Sequence, residues 1–497
     1  MSAPQPGPSQ AHAAYKWWVV VMLWFVCFFN YADRQAIFAV FPKLKEEFGF
    51  DKEQLGWIGS AFMWVYAGGA LFAGLIVDRF RRKDLILGGC LFWSFVTVTT
   101  GWCSKLWHFV TVRALEGFGE TFYFPASMSL TSDYHGPRTR SRALAFHQSS
   151  VYVGTILGSW IGAWFAEHHG WRLGFYFFGG AGMLLALVLY GFLREPRRGE
   201  ADAASGTLAA HGREGPDCSD REHSPSSSME ERAGERRNVG SAPGSPPASI
   251  LSPLLRRGER KETAAVSAGK LGDDRGAEAE TLSLADTARA IFRSPTVPLL
   301  MLAFVGANFV ATIFLTWTPT FLVEKFGFRL TTAGLSGSIY IHLASALSVP
   351  VAGWLADRLT RRFSGGRMMV QAAGLLVGAY FVSVVGHTDN TATLLVAMTL
   401  FGICKGFYDS GIFASLYDSI EPRARGTAAG LMNTVGWGGG ALGPLFVGMA
   451  SKYGKKSTEV ENMSDAIAFG GVIYLVAALL IITAILLFRR RGAVSRP

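Results

Sequence analysis

The chain has 497 residues, of which half are hydrophobic and 17% are charged, where a soluble protein carries about 25% charge. Apolar runs near 20 residues recur along it, the length that spans a bilayer as a helix, so an ordinary soluble domain is excluded. The formal charge of +10 is no nucleic-acid footprint, because the basic residues gather at the ends of the apolar runs.

In chain order, residues 1–15 are polar and proline-rich and read as a disordered tail without a cleavable signal. Six apolar spans follow, at about 17–39, 55–77, 84–103, 107–132, 141–166 and 171–193, making a first bundle over 16–194. Residues 195–282 are rich in Gly, Ser, Pro, Arg and Glu and nearly free of aromatics; they read as a disordered cytoplasmic linker. A short amphipathic helix is expected at 283–293. Six more spans, at about 296–322, 331–356, 368–387, 391–418, 425–450 and 466–488, make a second bundle over 283–490, with a cytoplasmic tail at 491–497. The expected fold is an all-α integral membrane protein of twelve transmembrane helices in two pseudo-symmetric six-helix bundles.

The halves repeat. GLIVDRFRRK at Gly74–Lys83 returns as GWLADRLTRRF at Gly353–Phe363, with Asp78 and Asp357 279 positions apart. PRTRSRA at 137–143 returns as PRARGTA at 422–428, 285 apart, so the halves run in the same direction. The cassette face carries the basic clusters, including Arg79–Lys83, Arg194–Arg198, Arg358–Arg367 and Arg489–Arg491, and is expected to be cytoplasmic along with both termini. Asp78, Arg79, Arg82, Asp357, Arg358 and Arg361 are the candidate gating residues.

Charges inside apolar spans are costly and mark function or a compensating pair. Asp33 and Arg34 lie in the first span. Arg113, Glu116 and Glu120 fall on one face of the fourth at steps of three, four and seven. Carboxylates beside arginines in a poorly hydrated cavity form a proton-sensitive network. Asp33, Glu120 and Glu116 are therefore the candidates for proton coupling. Arg34, whose fork suits a carboxylate, leads the candidate substrate contacts, with Tyr31, Arg113, Gln148, Trp317, Lys405 and Asn433. Lys405 and Asp409, four apart, are either a second anion contact or a self-neutralising structural pair. His147, Asn308, Thr316, His342, Trp64, Tyr66, Tyr123 and Tyr408 either line the cavity or only pack. Gly154, Gly158 and Gly162 let helices approach closely. The five cysteines are scattered, without metal or disulfide spacing. With no nucleophile–base set and no Walker loop, an enzyme and a cofactor are not expected.

The duplicated Gly-x-x-x-Asp-Arg-x-x-Arg-Arg cassette, with Arg113-Ala-Leu-Glu-Gly-Phe-Gly119, resembles the major facilitator superfamily over nearly everything but the tails and linker. Asn30-Tyr31-Ala-Asp33-Arg34, Gly119-Glu120, Gly170-Trp171-Arg172 and PRARGTAAGLMN at 422–433 look like its anion:cation symporter group. Leu193-Arg-Glu-Pro-Arg-Arg-Gly199 looks Spinster-like. The resemblance implies a proton-coupled symporter of a small organic anion, such as a hexuronate or other sugar acid, working by rocker-switch alternating access. It also implies that Asp33 and Glu120 carry protons and that Arg34 binds substrate. A Spinster-like lysolipid or sphingolipid carrier and a non-transporting ligand sensor are the alternatives. The expected partners are the anion, protons and the lipid bilayer, with no nucleic acid. A monomer in a cell membrane, of the bacterial inner-membrane type, is expected.

Overall fold

The computed structural model describes residues 8–136, 139–198, 200–201, 293–420 and 425–494. The amphipathic helix expected at 283–293 and most of the linker lie outside the described residues. Within them the chain is helical and has no strand.

The first half comprises α1 (Pro8–Ala39), α2 (Phe41–Phe48), α3 (Lys52–Arg79), α4 (Arg82–Thr100), α5 (Leu106–Glu120), α6 (Tyr123–Tyr134), α7 (Arg140–His168) and α8 (Trp171–Phe192). The second comprises α9 (Thr296–Phe326), α10 (Leu330–Thr360), α11 (Gly366–His387), α12 (Thr391–Asp409), α13 (Ile412–Asp418), α14 (Arg425–Gly440), α15 (Leu442–Tyr453) and α16 (Glu459–Val494).

Eight stretches are long and apolar enough to cross a membrane by length and composition alone. The other four crossings are α4, α5 with α6, α7, and α14 with α15. Three of these four carry candidate coupling or substrate residues: Glu116 and Glu120 on α5, Gln148 on α7 and Asn433 on α14. A span that must present polar groups to a cavity loses apolar character.

Three spans expected to be continuous are broken. Pro125 cannot donate to the Thr121 carbonyl, and the fourth span breaks between α5 and α6 there. Pro444 likewise breaks the eleventh between Gly440 and Ala441. The tenth breaks at Ser410-Gly411, a Gly/Ser pair of the kind that kinks helices.

The repeat extends well beyond the cassettes. α5 and α12 begin at Leu106 and Thr391, 285 positions apart. Gly158 on α7 lets that helix lie against Ala32 of α1, where a methyl group would collide with backbone. Gly443, 285 positions later, does the same against Phe309 of α9. Gly117 against Phe62 and Gly402 against Ile341 make another pair at that offset.

The two faces of the molecule differ. At the face formed by α2, the start of α3 and the end of α15, ion pairs cross between halves. Lys52, fully buried, meets Glu324 at 2.7 Å. Lys45 meets Glu324 at 3.5 Å and Glu459 at 2.9 Å. Lys452 meets Asp51 at 2.9 Å and Glu53 at 2.8 Å. The seam continues inward: Ser60 Oγ donates to the Ala441 carbonyl at 2.5 Å, and Gln35 donates to that of Leu315 at 2.8 Å. At the cassette face the ion pairs named below join residues of the same half.

Candidate functional site

Five charged side chains, each no more than 4% exposed, meet between α1, α4 and α5. Arg34 donates from Nε to Glu120 Oε2 at 3.0 Å, and its Nη2 pairs with the same oxygen. Nη2 also donates to Asn30 Oδ1 at 3.3 Å. Asp33 accepts the Arg34 backbone N–H at 2.7 Å. Arg113 pairs with Glu116 one turn along α5. The Phe62 ring of α3 lies between the two arginines, 4.4 Å from the Arg34 guanidinium and 4.8 Å from that of Arg113. Tyr31, at 4.5 Å, and Tyr66, at 5.4 Å, complete an aromatic cage around Arg34. Cation–π contacts in such desolvated settings are worth about 2 kcal/mol each.

Thr97 of α4 ties the carboxylates together. Its hydroxyl donates to the Trp93 carbonyl at 2.9 Å, the back-bond common for threonine in a helix. The same oxygen lies 3.2 Å from Asp33 Oδ2 and 3.3 Å from Glu116 Oε1. A hydroxyl has one hydrogen, so it donates to one of these three oxygens at a time, and a second contact becomes a hydrogen bond when that carboxyl carries a proton.

Asp33, Glu116 and Glu120 each offer an oxygen within 4.8 Å of the others, a spacing that suits a small cation. The guanidiniums already occupy Glu120 and Glu116, which leaves too few oxygens for the six to eight that calcium takes. Three carboxylates against two guanidiniums leave one negative charge.

The remaining sequence candidates spread over the cavity and the seam. Gln148 is exposed on α7, one turn before Tyr152, which faces His342 of α10 across the halves at 6.4 Å. Lys405 pairs with Asp409 along α12, and both are partly exposed. Asn433 is half-buried on α14. Tyr66 packs on Trp437 of the other half at 5.8 Å. Trp317 is fully buried in the seam, donating to the Pro444 carbonyl at 2.9 Å and edge-on to Phe41 at 5.7 Å. Its indole N–H is committed to that carbonyl. Arg113 is likewise committed to Glu116. His147 is buried, with Nε2 3.0 Å from the Tyr123 hydroxyl. Tyr123 and Tyr408 are each only 1% exposed and belong to the core.

At the cassette face Asp78 meets Arg198 at 3.5 Å, while Arg79 and Arg358 are exposed. Arg82 is a buried rivet that pairs with Asp133, and with Glu195 at 3.0 Å. Matching the cassettes makes Arg361 its counterpart, but Arg361 is exposed. The rivet's partner residue in the second half is Arg367, 285 positions after Arg82, which meets Asp418 at 2.6 Å and Asp357 at 3.3 Å. Asp418 itself follows Asp133 by 285. The second cassette loop is six residues longer, which shifts the arginine out of the motif.

The cross-half ion pairs of the other face have no such motif: in the sequence Glu46, Glu47, Asp51 and Lys52 are only a stretch of mixed sign. There Arg172 and Trp171 donate to Glu47, at 2.6 and 2.7 Å from its oxygens. Arg172 holds the Glu47 carboxyl below the usual range, against its partial burial. Burial works to raise Asp51, but the Gln54 backbone N–H and Lys452 outweigh it and hold this carboxyl low.

Twelve crossings in two repeated halves, with charges buried inside the first, define a multi-pass membrane protein built on a transporter plan. Residues 23–444 match the Major Facilitator Superfamily, with a second match over 342–497, and the chain belongs to that family. It is 26% identical over 469 residues to a chloroplastic ascorbate transporter of Arabidopsis thaliana, covering 93% of this chain and 73% of that one. It is 25% identical over 442 residues to a D-galactonate transporter of Escherichia coli O6:H1, covering 88% and 89%. The fold matches a bacterial homologue of the human lysosomal transporter Spinster, with a TM-score of 0.72 at 18% identity over 96% of this chain and 98% of that one.

Proposed function

We propose that this transporter is a proton-coupled symporter of a small organic anion, such as a hexuronate or other sugar acid. The carrying observation is Thr97, whose one hydroxyl hydrogen faces three acceptors, the Trp93 carbonyl and the Asp33 and Glu116 carboxyls. That arrangement is complete as a hydrogen-bond network when protons sit on the carboxyls. The similarity to sugar-acid and ascorbate carriers supports the anion.

In this reading Glu120 occupies Arg34 while the site is empty. A proton on Glu120 releases the guanidinium, and a substrate carboxylate takes its fork. Asp33, Glu120 and Glu116 hold the coupling protons; Tyr31 and Phe62 keep Arg34 in place; Gln148 and Asn433 contact the sugar hydroxyls. Trp317 and Arg113 act from the second layer, through the seam and through Glu116.

The positive-inside bias puts the cassettes in the cytoplasm, so the face closed by Lys52–Glu324 is the outer one and this conformation opens inward. Alternating access by rocking of the halves then breaks that closure and brings the cassettes together. Asp78 and Asp357, with side chains 78% and 64% exposed, remain available to bridge the halves with Arg79, Arg82, Arg358 and Arg361.

The test is uptake of labelled galactonate into proteoliposomes. An inward proton gradient should drive accumulation, and a sodium gradient at equal pH should not. Accumulation on sodium alone, or displacement by lysolipid and not by sugar acids, would overturn the proposal. Uptake that survives deletion of residues 197–279 would dismiss the sensor alternative.

A further inference from the structure

The repeat assigns a counterpart to every residue of α5, and at one position the chemistry is inverted. Glu120 ends α5 and Lys405 follows it by 285 positions on α12 (405 − 120 = 285). The same offset relates Gly117 to Gly402 and Tyr123 to Tyr408, both tyrosines being 1% exposed. Parallel repeats are related by an axis along the membrane normal, so the two positions stand at equal depth on opposite sides of that axis. One half presents a carboxylate there and the other an ammonium.

Lys405 stands near polar side chains of both halves. Its side chain is 18% exposed and that of Asp409 33%, although both lie well inside an apolar stretch at Thr391–Asp418. Tyr152 of the first half and His342 of the second both lie within the electrostatic reach of the ammonium. Their rings are 6.4 Å apart across the junction of the halves. Gln148, one turn from Tyr152, is exposed on the same face of α7.

In each half a cation is therefore occupied by a carboxylate of its own helix bundle: Arg34 by Glu120, and Lys405 by Asp409. We propose that Lys405 is a second anion subsite, framed by Tyr152 and His342, and that the preferred substrate is a short hydroxylated dicarboxylate bridging the halves. This rests on the anion-transport reading above and narrows it. A carboxylate at one end replaces Glu120 on Arg34. The carboxylate at the other end replaces Asp409 on Lys405. A monoanion of the same length leaves the Lys405–Asp409 pair in place and forgoes one ionic contact.

Galactarate and galactonate separate the cases, because they differ only in whether the sixth carbon is a carboxylate or a hydroxymethyl group. Dissociation constants for both are measured by calorimetry on the purified full-length protein at one pH. The wild type should bind galactarate about tenfold more tightly than galactonate, and Lys405→Met should bring the ratio close to one. The double variant Lys405→Met/Asp409→Asn removes both charges, leaves no carboxylate unpaired, and should give the same ratio. A wild-type ratio near one, or a preference that survives in both variants, overturns the subsite while leaving anion transport standing. Failure of the wild type to bind either compound overturns both.

Discussion

The two halves share a skeleton and differ in charge. Gly117 and Gly402, Gly158 and Gly443, and Arg82 and Arg367 all correspond at an offset of 285 and do the same mechanical work in each half. The buried charges do not correspond. Asp33, Arg34, Arg113, Glu116 and Glu120 sit within one cluster in the first half, where the second has Lys405 and Asp409. Helix approach and loop anchoring are demands that both halves meet to hold their shape. Coupling and recognition need a single site, so one copy of the duplicated frame could be specialised.

The rivets test the comparison most severely. Arg82 is 1% exposed between Asp133 and Glu195, whereas Arg367 is 29% exposed. Losing one partner of a buried pair costs about 3–5 kcal/mol, and of an exposed one about 1 kcal/mol or less. Arg82→Ala should therefore lower the detergent melting temperature far more than Arg367→Ala. Equal effects would mean that the two loops are anchored alike.

Next come the charges. Arg34→Lys keeps the charge but loses the fork, and uptake should fall about a hundredfold, or about 2.7 kcal/mol, with normal expression. Retained uptake would remove Arg34 from the substrate site. For the shared skeleton the prediction is symmetry. Gly117→Ala and Gly402→Ala each force a methyl group onto a backbone carbonyl of the neighbouring helix. Both should destabilise by a similar amount, about 1–3 kcal/mol, read from melting curves.

The smallest effect concerns the face opposite the cassettes. Asp51 is held low by its own helix cap, the Gln54 backbone N–H, and by Lys452 across the seam; only the Lys452 part is lost when the seam opens, so the carboxyl then rises. Its contribution to closure is therefore full above the ordinary aspartate range, near pH 4, and is lost as pH falls through the lowered value. The pair is about a third exposed, so the gain is under about 1 kcal/mol. Spin labels across that face should show no Asp51-dependent change from pH 8 to 5 and opening only below about pH 4. Asp51→Asn should abolish that step.

Much of the fold was legible because its signals are local. Apolar length gives the spans, and the repeated cassette gives the duplication. Asp33, Arg34 and Glu120 stood out because charge is rare in such spans. Thr97 and Phe62 did not, since threonine and phenylalanine are ordinary in a membrane helix and acquire their roles only when α3, α4 and α5 meet. Arg367 was hidden by the longer second loop, which moved it out of the motif that pointed to Arg361. The pairing of Lys52 with Glu324 joins positions 272 residues apart, and no local pattern announces it.

The central claim, that protons on the first-half cluster drive anion transport, is tested most directly by Glu120→Gln. In proteoliposomes loaded with galactonate, both wild type and variant should exchange internal for external substrate. Only the wild type should accumulate it against a gradient when the outside is made acidic. Proton-driven accumulation by Glu120→Gln at the wild-type level would contradict the account.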